Sequence, residues 1–191
     1  MGAGRIGAMA NTIYFCAATL DGFIADENDG IDWLTGFEPN YDGPGEPVLD
    51  AINEFTEGVG ALVMGSATYE FILPHSWPYG ERPTWVLTSR ELPVAEGADI
   101  RFHDGPVAEI HARMLDAAGE QDLWVVGGGG IASDLLDAGL LDEVQVTVVP
   151  IVLGSGKRLF DRPVPEPMRL LGTRTFSTGM IELTYAPAKA I

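Results

Sequence analysis

Short apolar runs alternate with amphipathic stretches along most of this chain. The runs contain four to eight residues, are rich in β-branched and aromatic side chains, and occupy 11–18, 61–65, 84–89, 98–103, 123–126 and 144–149. Runs of this length and composition are typical of buried strands. Apolar residues at helical spacing predict helices over 47–58, 66–73, 106–119 and 131–139. The pattern therefore predicts strands that are joined by helices.

The C-terminal segment 168–187 has a different pattern. Two stretches of alternating residues meet at Ser177-Thr178-Gly179, which predicts an antiparallel hairpin. Strands that alternate with helices and end in a hairpin are typical of an α/β fold with a mixed, mostly parallel central sheet. We expect residues 1–10 to form a flexible N-terminal tail and residues 11–191 to form one domain.

The segment 25–46 shows neither periodicity. It is rich in acidic residues, glycine and proline, and it follows a turn predicted at Asp21-Gly22. The segment is interpreted as a long loop, and loops of this length often serve as lids or binding elements.

The charge balance excludes one class of partner. The chain has 11 basic and 28 acidic residues, for a net charge of −17. Such a surface repels DNA, RNA and anionic membranes, so we expect neither nucleic acid nor membrane as a partner. No segment approaches the roughly 20 apolar residues of a membrane span, and the opening residues do not resemble a signal peptide. We expect a cytoplasmic protein.

The residue types that bind metals are sparse. Cys16 is the single cysteine, which excludes an internal disulfide and a cysteine cluster. The three histidines lie in separate segments without ligand spacing, so no metal site is predicted. Three tryptophans are interpreted as core or interface residues: Trp77, Trp85 and Trp124.

A run of four glycines is the strongest chemical signal in the chain. The stretch LWVVGGGGIASDLL (123–136) joins a predicted strand directly to a predicted helix. Bare amides at a helix start favour a phosphate group. A tight turn without a ligand is the alternative. A standard dinucleotide-binding fingerprint fits badly, because the glycines come two-thirds along the chain instead of in the first strand–helix unit. A P-loop is excluded as well, because no Gly-Lys-Ser/Thr follows the glycines.

Five segments together resemble the dihydrofolate reductase-like family, in the branch that contains the reductase domain of the bifunctional riboflavin-biosynthesis deaminase/reductase. They are AATLDGFIA (17–25), LVMGSATYE (62–70), WVLTSR (85–90), WVVGGGGIASDLL (124–136) and DEVQVTVVPIVLGSGKRLF (142–160). The resemblance extends from residue 12 to residue 186. It implies the three-layer dihydrofolate reductase-like fold and an NADPH cofactor.

The resemblance also implies where NADPH would bind. Ala17 and Ile24 would contact the nicotinamide. The phosphates and the adenosine would contact the remaining implied residues, which are Gly65, Ser66, Ala67, Thr68, Thr88, Ser89, Arg90, Val126, Gly127, Gly128, Gly129, Gly130, Ile131 and Ala132. Family members commonly carry arginine where this chain has Ser66, which leaves Arg90 to bind the 2′-phosphate. The preference for NADPH over NADH stays open. Riboflavin-pathway reductases carry glutamate at the position of Val126.

On the substrate side, the resemblance implies Asp50 as the acid that anchors the substrate ring, Thr147 as its hydrogen-bond partner and Trp33 as the loop tryptophan over the site. Asp50 is equally consistent with a solvated helix residue. Asp21 is a second candidate acid, although Asp-Gly is also ordinary turn chemistry. Lys157 and Arg158 are interpreted either as ligands of an acidic substrate or as solvated cations.

The resemblance implies an NADPH-dependent reductase that transfers hydride to a small heterocyclic or carbonyl substrate, with a pteridine- or pyrimidine-like ring. One alternative is the riboflavin-pathway 5-amino-6-(5-phosphoribosylamino)uracil reductase. Another is a non-catalytic NADP(H)-binding or sensor protein. The resemblance further implies a homodimer, for which the apolar C-terminal hairpin offers a candidate interface.

Overall fold

A computed structural model describes residues 10–37 and 43–188. The strands are β1 Thr12–Thr19, β2 Phe23–Ala25, β3 Val59–Gly65, β4 Thr84–Leu87, β5 Ile100–His103, β6 Asp122–Gly127, β7 Glu143–Val149, β8 Lys157–Arg158, β9 Arg169–Thr175 and β10 Ile181–Ala186. The helices are α1 Asp32–Thr35, α2 Val48–Glu57, α3 Ser66–Ile72, α4 His111–Ala118 and α5 Gly129–Asp137, with a 3-10 turn at Val107–Glu109.

Eight strands form one sheet in the order β5-β4-β3-β6-β1-β7-β10-β9. The strands from β5 to β7 in this order are parallel. β10 is antiparallel to both β7 and β9. The predicted mixed, mostly parallel sheet with a C-terminal antiparallel hairpin is therefore confirmed. Parallel strands place their carboxyl ends on one edge of the sheet, which is where ligands bind in open α/β folds.

The core lies on both faces of the sheet. Successive strand residues point to opposite faces, so Leu123 and Val125 pack under α4 and α5 while Trp124 points the other way. On that second face, the ring centroid of Phe55 from α2 lies 4.3 Å from that of Phe15 and 5.3 Å from that of Trp124. Helices thus cover the sheet on both sides, which gives three layers.

Several predicted boundaries are wrong. The segment 25–46 is not loop throughout, because the one-turn helix α1 lies inside it, and residues 38–42 are outside the described residues. The helix predicted over 106–119 is divided into the 3-10 turn and α4. Strands β2 and β8 pair with each other in a small second sheet that the sequence did not predict. The tail predicted over 1–10 lies almost wholly outside the described residues.

The helices of the described ranges are too short or too polar to cross a membrane.

Candidate functional site

A cavity of about 780 Å³ opens at the carboxyl edge of the sheet. Its walls come from β1, β6 and β7 in the sheet, from α1, α2 and α3, from the β2–β8 pair, and from the turn between β9 and β10. Most of the wall is apolar, with Leu34, Phe37, Val48, Ile52 and Met180 in one part of it. The fold therefore places a mainly apolar cavity where α/β folds bind their ligands.

The glycine run forms one wall of this cavity, and each glycine meets a different neighbour. A Cβ on Gly127 would lie 2.8 Å from Thr68 Oγ1, and a Cβ on Gly129 would lie 2.5 Å from the carbonyl oxygen of Arg158. Gly128 has a φ of +101°, which side chains rarely adopt. A tight turn and a binding site are thus both consistent with the structure, since Gly127, Gly128 and Gly129 are constrained by a close neighbour or by φ and all four glycines line the cavity.

Gly130 differs from the other three glycines. Within residues 10–37 and 43–188, a Cβ there would meet only Asp161 Oδ2, at 3.3 Å, and that atom is at the end of a side chain. Gly130 is also the second residue of α5, a helix of nine residues that begins at the cavity wall. The first amides of a helix have no intrahelical acceptors, and the helix dipole favours an anion there. At Gly130, space beside the backbone and the N-terminal end of a helix thus occur together.

The remaining cofactor residues fall into two groups. Ala17, Ile24, Ala67, Thr68 and Val126 line the cavity as expected. The following residues are absent from its lining: Gly65, Ser66, Thr88, Ser89, Arg90, Ile131 and Ala132. Two of these, Ile131 and Ala132, are on the buried face of α5 and belong to the core.

Arg90 has a carboxylate partner. Its Nη1 donates to Glu70 Oε1 at 3.0 Å, and its Nη2 donates to Glu70 Oε2. These contacts raise the pKa of Arg90. Arg90, the expected ligand of a 2′-phosphate, therefore already forms a bidentate pair with Glu70. The sequence did not predict this pair.

Two cations stand on the wall formed by β8. Lys157 Nζ lies 3.7 Å from Asp29 Oδ1, and the Arg158 guanidinium lies 4.8 Å from the centre of the Phe23 ring. Both side chains line the cavity and are exposed to solvent. The structure thus places them where an anionic group of a ligand could reach them.

The substrate residues implied by the resemblance do not all meet. Thr147 is 5% exposed and lines the cavity. Trp33 packs near Met180 without lining the cavity, and the neighbouring Leu34 takes the wall position. Asp50 lies on the exposed face of α2, and the cavity face of that helix carries Val48 and Ile52. The expected placement of Asp50 inside the site is not found.

The carboxylate of Asp21 accepts hydrogen bonds from the protein itself. Its Oδ1 accepts hydrogen bonds from Thr19 Oγ1 at 2.6 Å and from the Leu153 amide at 3.2 Å, and its Oδ2 accepts one from the Gly154 amide at 2.7 Å. The Thr19 hydrogen bond is the largest cause that lowers the pKa of Asp21. Asp21 thus joins the end of β1 to the loop before β8, and it is not part of the cavity lining.

Three features of the site were missed by sequence reasoning. Thr178 lines the cavity, and its Oγ1 is buried without a hydrogen-bond partner in the described structure. Trp124 lines the cavity as well as the core. Burial raises the pKa of the cavity residue Cys16 to about 12, so that its thiol is neutral and a poor nucleophile.

Comparison with known proteins identifies the family. The family model for the RibD C-terminal domain matches residues 10–181. The uncharacterized protein YwjB of Bacillus subtilis is 32% identical over 186 residues, which are 93% of this chain and 98% of YwjB. The riboflavin biosynthesis protein RibD of Corynebacterium ammoniagenes is 26% identical over 167 residues, which are 80% of this chain and 47% of that protein.

Solved structures agree on the fold. A diaminohydroxyphosphoribosylaminopyrimidine deaminase/5-amino-6-(5-phosphoribosylamino)uracil reductase from Thermotoga maritima superposes with a TM-score of 0.70 at 18% identity, over 94% of this chain and 57% of that chain. A dihydrofolate reductase from Enterococcus faecalis in complex with NADP(H) gives 0.58 at 21% identity, over 93% and 96%. The fold is dihydrofolate reductase-like, and the chain belongs to the RibD C-terminal domain family.

Proposed function

We propose that this protein is an NADPH-dependent reductase that transfers hydride to a small heterocyclic or carbonyl substrate. The observation that carries the proposal is the cavity wall of bare backbone at Gly127–Gly130, which meets the start of α5. Backbone without side chains beside a helix start is suited to phosphate oxygens. The family and the fold support a reductase-type activity.

The residues present fit such a cofactor. A side chain at Gly130 would project towards Asp161 across the wall, so glycine keeps this place open. Gly127–Gly130 would hold the pyrophosphate, and the backbone at Ala17 and Ile24 would hold the nicotinamide. When bound, the cofactor supplies the hydride.

The other part of the cavity is suited to a flat, mainly apolar ring. Leu34, Phe37 and Met180 would exclude water from the reacting atoms. The hydroxyl groups of Thr147 and Thr178 line the same cavity. They would orient the ring by hydrogen bonds to its oxygen or nitrogen atoms. Thr178 supports this role most directly, because its hydroxyl is buried without a partner among the described residues, which is unfavourable unless a ligand supplies one. In this proposal the chain binds, orients and desolvates the substrate.

The first experiment is a binding titration. NADPH is added to the pure protein, and energy transfer from tryptophan to the nicotinamide is followed, with Trp124 on the cavity wall as a donor. The variant Gly130→Val places a side chain in the proposed phosphate site, against the movable side chain of Asp161. Gly172→Ala is the control, because a Cβ there meets no described residue within 4 Å. We expect saturable binding that Gly130→Val abolishes and Gly172→Ala keeps. If the unmodified protein binds neither NADPH nor NADH, the proposal is wrong.

Turnover separates an enzyme from a sensor. NADPH oxidation is measured as the loss of the reduced nicotinamide's absorbance at 340 nm. Pteridine, pyrimidine and quinone-like compounds are offered as substrates. Repeated turnover with one of them supports the reductase. Tight NADPH binding without turnover on any of these rings favours the non-catalytic alternative.

A second candidate, the riboflavin-pathway reductase, is favoured by Lys157 and Arg158 on the cavity wall. These cations would receive the phosphate of 5-amino-6-(5-phosphoribosylamino)uracil, the compound named in the activity of the Thermotoga protein. With that compound as substrate, Arg158→Gln is expected to raise KM while NADPH binding is kept. Failure of this compound to be reduced removes the second candidate and leaves the first in place.

A further inference from the structure

We propose that Glu70 sets the discrimination between NADPH and NADH in this protein, by competing with a 2′-phosphate for Arg90. The inference rests on the proposed function, since it requires that a nicotinamide dinucleotide binds in the cavity. It assigns to Glu70 a role in cofactor selectivity.

The position of the pair supports this role. Glu70 is on α3, the helix that contributes Ala67, Thr68 and Phe71 to the cavity wall. Arg90 follows β4, which is the neighbour of β3, and β3 leads directly into α3. The pair therefore lies at the carboxyl edge of the sheet, just beyond the cavity and on the side away from β7.

A dinucleotide would extend across this edge. With its phosphates at the turn between β6 and α5 and its nicotinamide beside β1, its adenosine half continues towards β3 and β4, because the strand order is β4-β3-β6-β1. Ligands of open α/β sheets lie along the carboxyl ends of neighbouring strands in this manner. The adenosine ribose with its 2′ position would then come near Arg90 and Glu70.

The chemistry of the two side chains is opposed at that position. A guanidinium fork binds a phosphate dianion, whereas a carboxylate accepts a hydrogen bond from a free 2′-hydroxyl and repels a phosphate. Both terminal nitrogens of Arg90 donate to Glu70. NADPH must therefore separate the pair and place its phosphate close to the freed carboxylate, whereas NADH need not.

Exposure limits the size of the effect. The side chains of Arg90 and Glu70 are 55% and 41% exposed, so water screens their attraction and the pair can open. Glu70 therefore weakens the selectivity for NADPH without excluding NADPH. Neutralising Glu70 is expected to increase the affinity for NADPH by roughly fivefold and to leave the affinity for NADH unchanged or lower.

The test is a comparison of dissociation constants in the protein without substrate. NADPH and NADH are titrated against the unmodified protein, Glu70→Gln and Asp99→Asn. Asp99 is the matched control, because it forms a similarly exposed pair with Arg101 and its loss changes the net charge equally. We expect the ratio of the NADH to the NADPH dissociation constant to rise in Glu70→Gln only.

The titrations distinguish a failure of this inference from a failure of the proposed function. If the ratio in Glu70→Gln stays within twofold of the unmodified ratio, or rises equally in Asp99→Asn, the inference is wrong while the proposed function stands. If neither nucleotide binds the unmodified protein, the proposed function is wrong and the inference is wrong with it.

Discussion

Thr147 on β7 and Glu182 on β10 are directly opposite each other in the antiparallel ladder. Opposite residues of such a pair project from the same face of the sheet with adjacent side chains. Thr147 is 5% exposed and lines the cavity, and Glu182 is 3% exposed. A buried carboxylate is therefore a neighbour of the hydroxyl that we assign to the substrate.

The first prediction concerns that hydroxyl. Thr147→Val keeps the shape of the side chain but removes its hydrogen bond to a substrate, so we expect kcat/KM to fall by about tenfold with unchanged NADPH binding. Steady-state kinetics with the substrate found in the turnover screen measure this. Thr173→Val on the exposed face of β9 is the control. Equal kcat/KM in Thr147→Val and the unmodified protein would exclude Thr147 from substrate binding.

The second prediction concerns the charge on Glu182. Arg174 Nε lies 3.9 Å from Glu182 Oε1, and the same guanidinium contacts Glu54 at 2.6 Å and Glu46 at 3.5 Å. Arg174→Met leaves a buried carboxylate without its cation, and we expect a loss of about 2 kcal/mol in the free energy of unfolding. Urea denaturation measures the loss.

The double variant Arg174→Met/Glu182→Gln tests the cause. It removes the buried charge along with its partner, so we expect it to recover most of the lost stability. A double variant as unstable as Arg174→Met alone would show that the packing of Arg174, and not the carboxylate, is responsible.

The third prediction is a pH dependence of stability. His111 Nε2 lies 2.7 Å from Thr12 Oγ1, and burial lowers the pKa of His111 below 6.5, with Asp142 as the opposing influence. The unfolded chain then binds the proton more readily than the folded protein does. The stability contributed by neutral His111 is complete above the unfolded pKa, and it is lost as the pH falls through the lower folded pKa.

Urea denaturation from about pH 7 to about pH 5 measures this loss, because the interval spans the unperturbed histidine pKa. His111→Gln removes the titrating group, while the many carboxylates that titrate at lower pH remain. We expect a shallower fall in the variant. An identical fall in both proteins would assign the pH dependence to other groups.

The fourth prediction concerns Asp21. Asp21→Ala removes the acceptor of the Leu153 and Gly154 amides, so we expect both amides to exchange hydrogen faster by mass spectrometry or NMR. Asp26→Ala is the control, since Asp26 accepts from the amides of Asn28 and Gly30 in a different loop. Unchanged exchange at residues 153 and 154 would mean that the loop is held by other contacts.

The sequence contains the information that determines which way Asp50 faces. Val48, Ile52 and Phe55 share one side of a helix, and Asp50 is about 200° from Val48 around the same axis. The helical period therefore favours the alternative that was left open in the sequence analysis, in which Asp50 is a solvated helix residue. The family resemblance pointed to the position on the chain but not to the direction of the side chain.

Other features could not be predicted because their determinants are not local. β2 and β8 have three and two residues, which is too short for a periodic signal. The fork between Arg90 and Glu70 joins α3 to the segment after β4, and no spacing in the chain indicates it. The pairing of Arg174 with Glu182 follows once the hairpin turn is located, whereas the burial of Glu182 depends on the position of β10 between β7 and β9 in the sheet.

The contact between Gly129 and the carbonyl group of Arg158 has a practical consequence for redesign of the pocket. Since a Cβ at Gly129 would lie 2.5 Å from that oxygen, the glycine turn and the β8 segment are packed backbone against backbone. Enlarging the pocket by shifting either backbone would disturb the other. New specificities are better sought by exchanging exposed side chains that line the cavity, such as Lys157 and Phe71, because such exchanges leave both backbones in place.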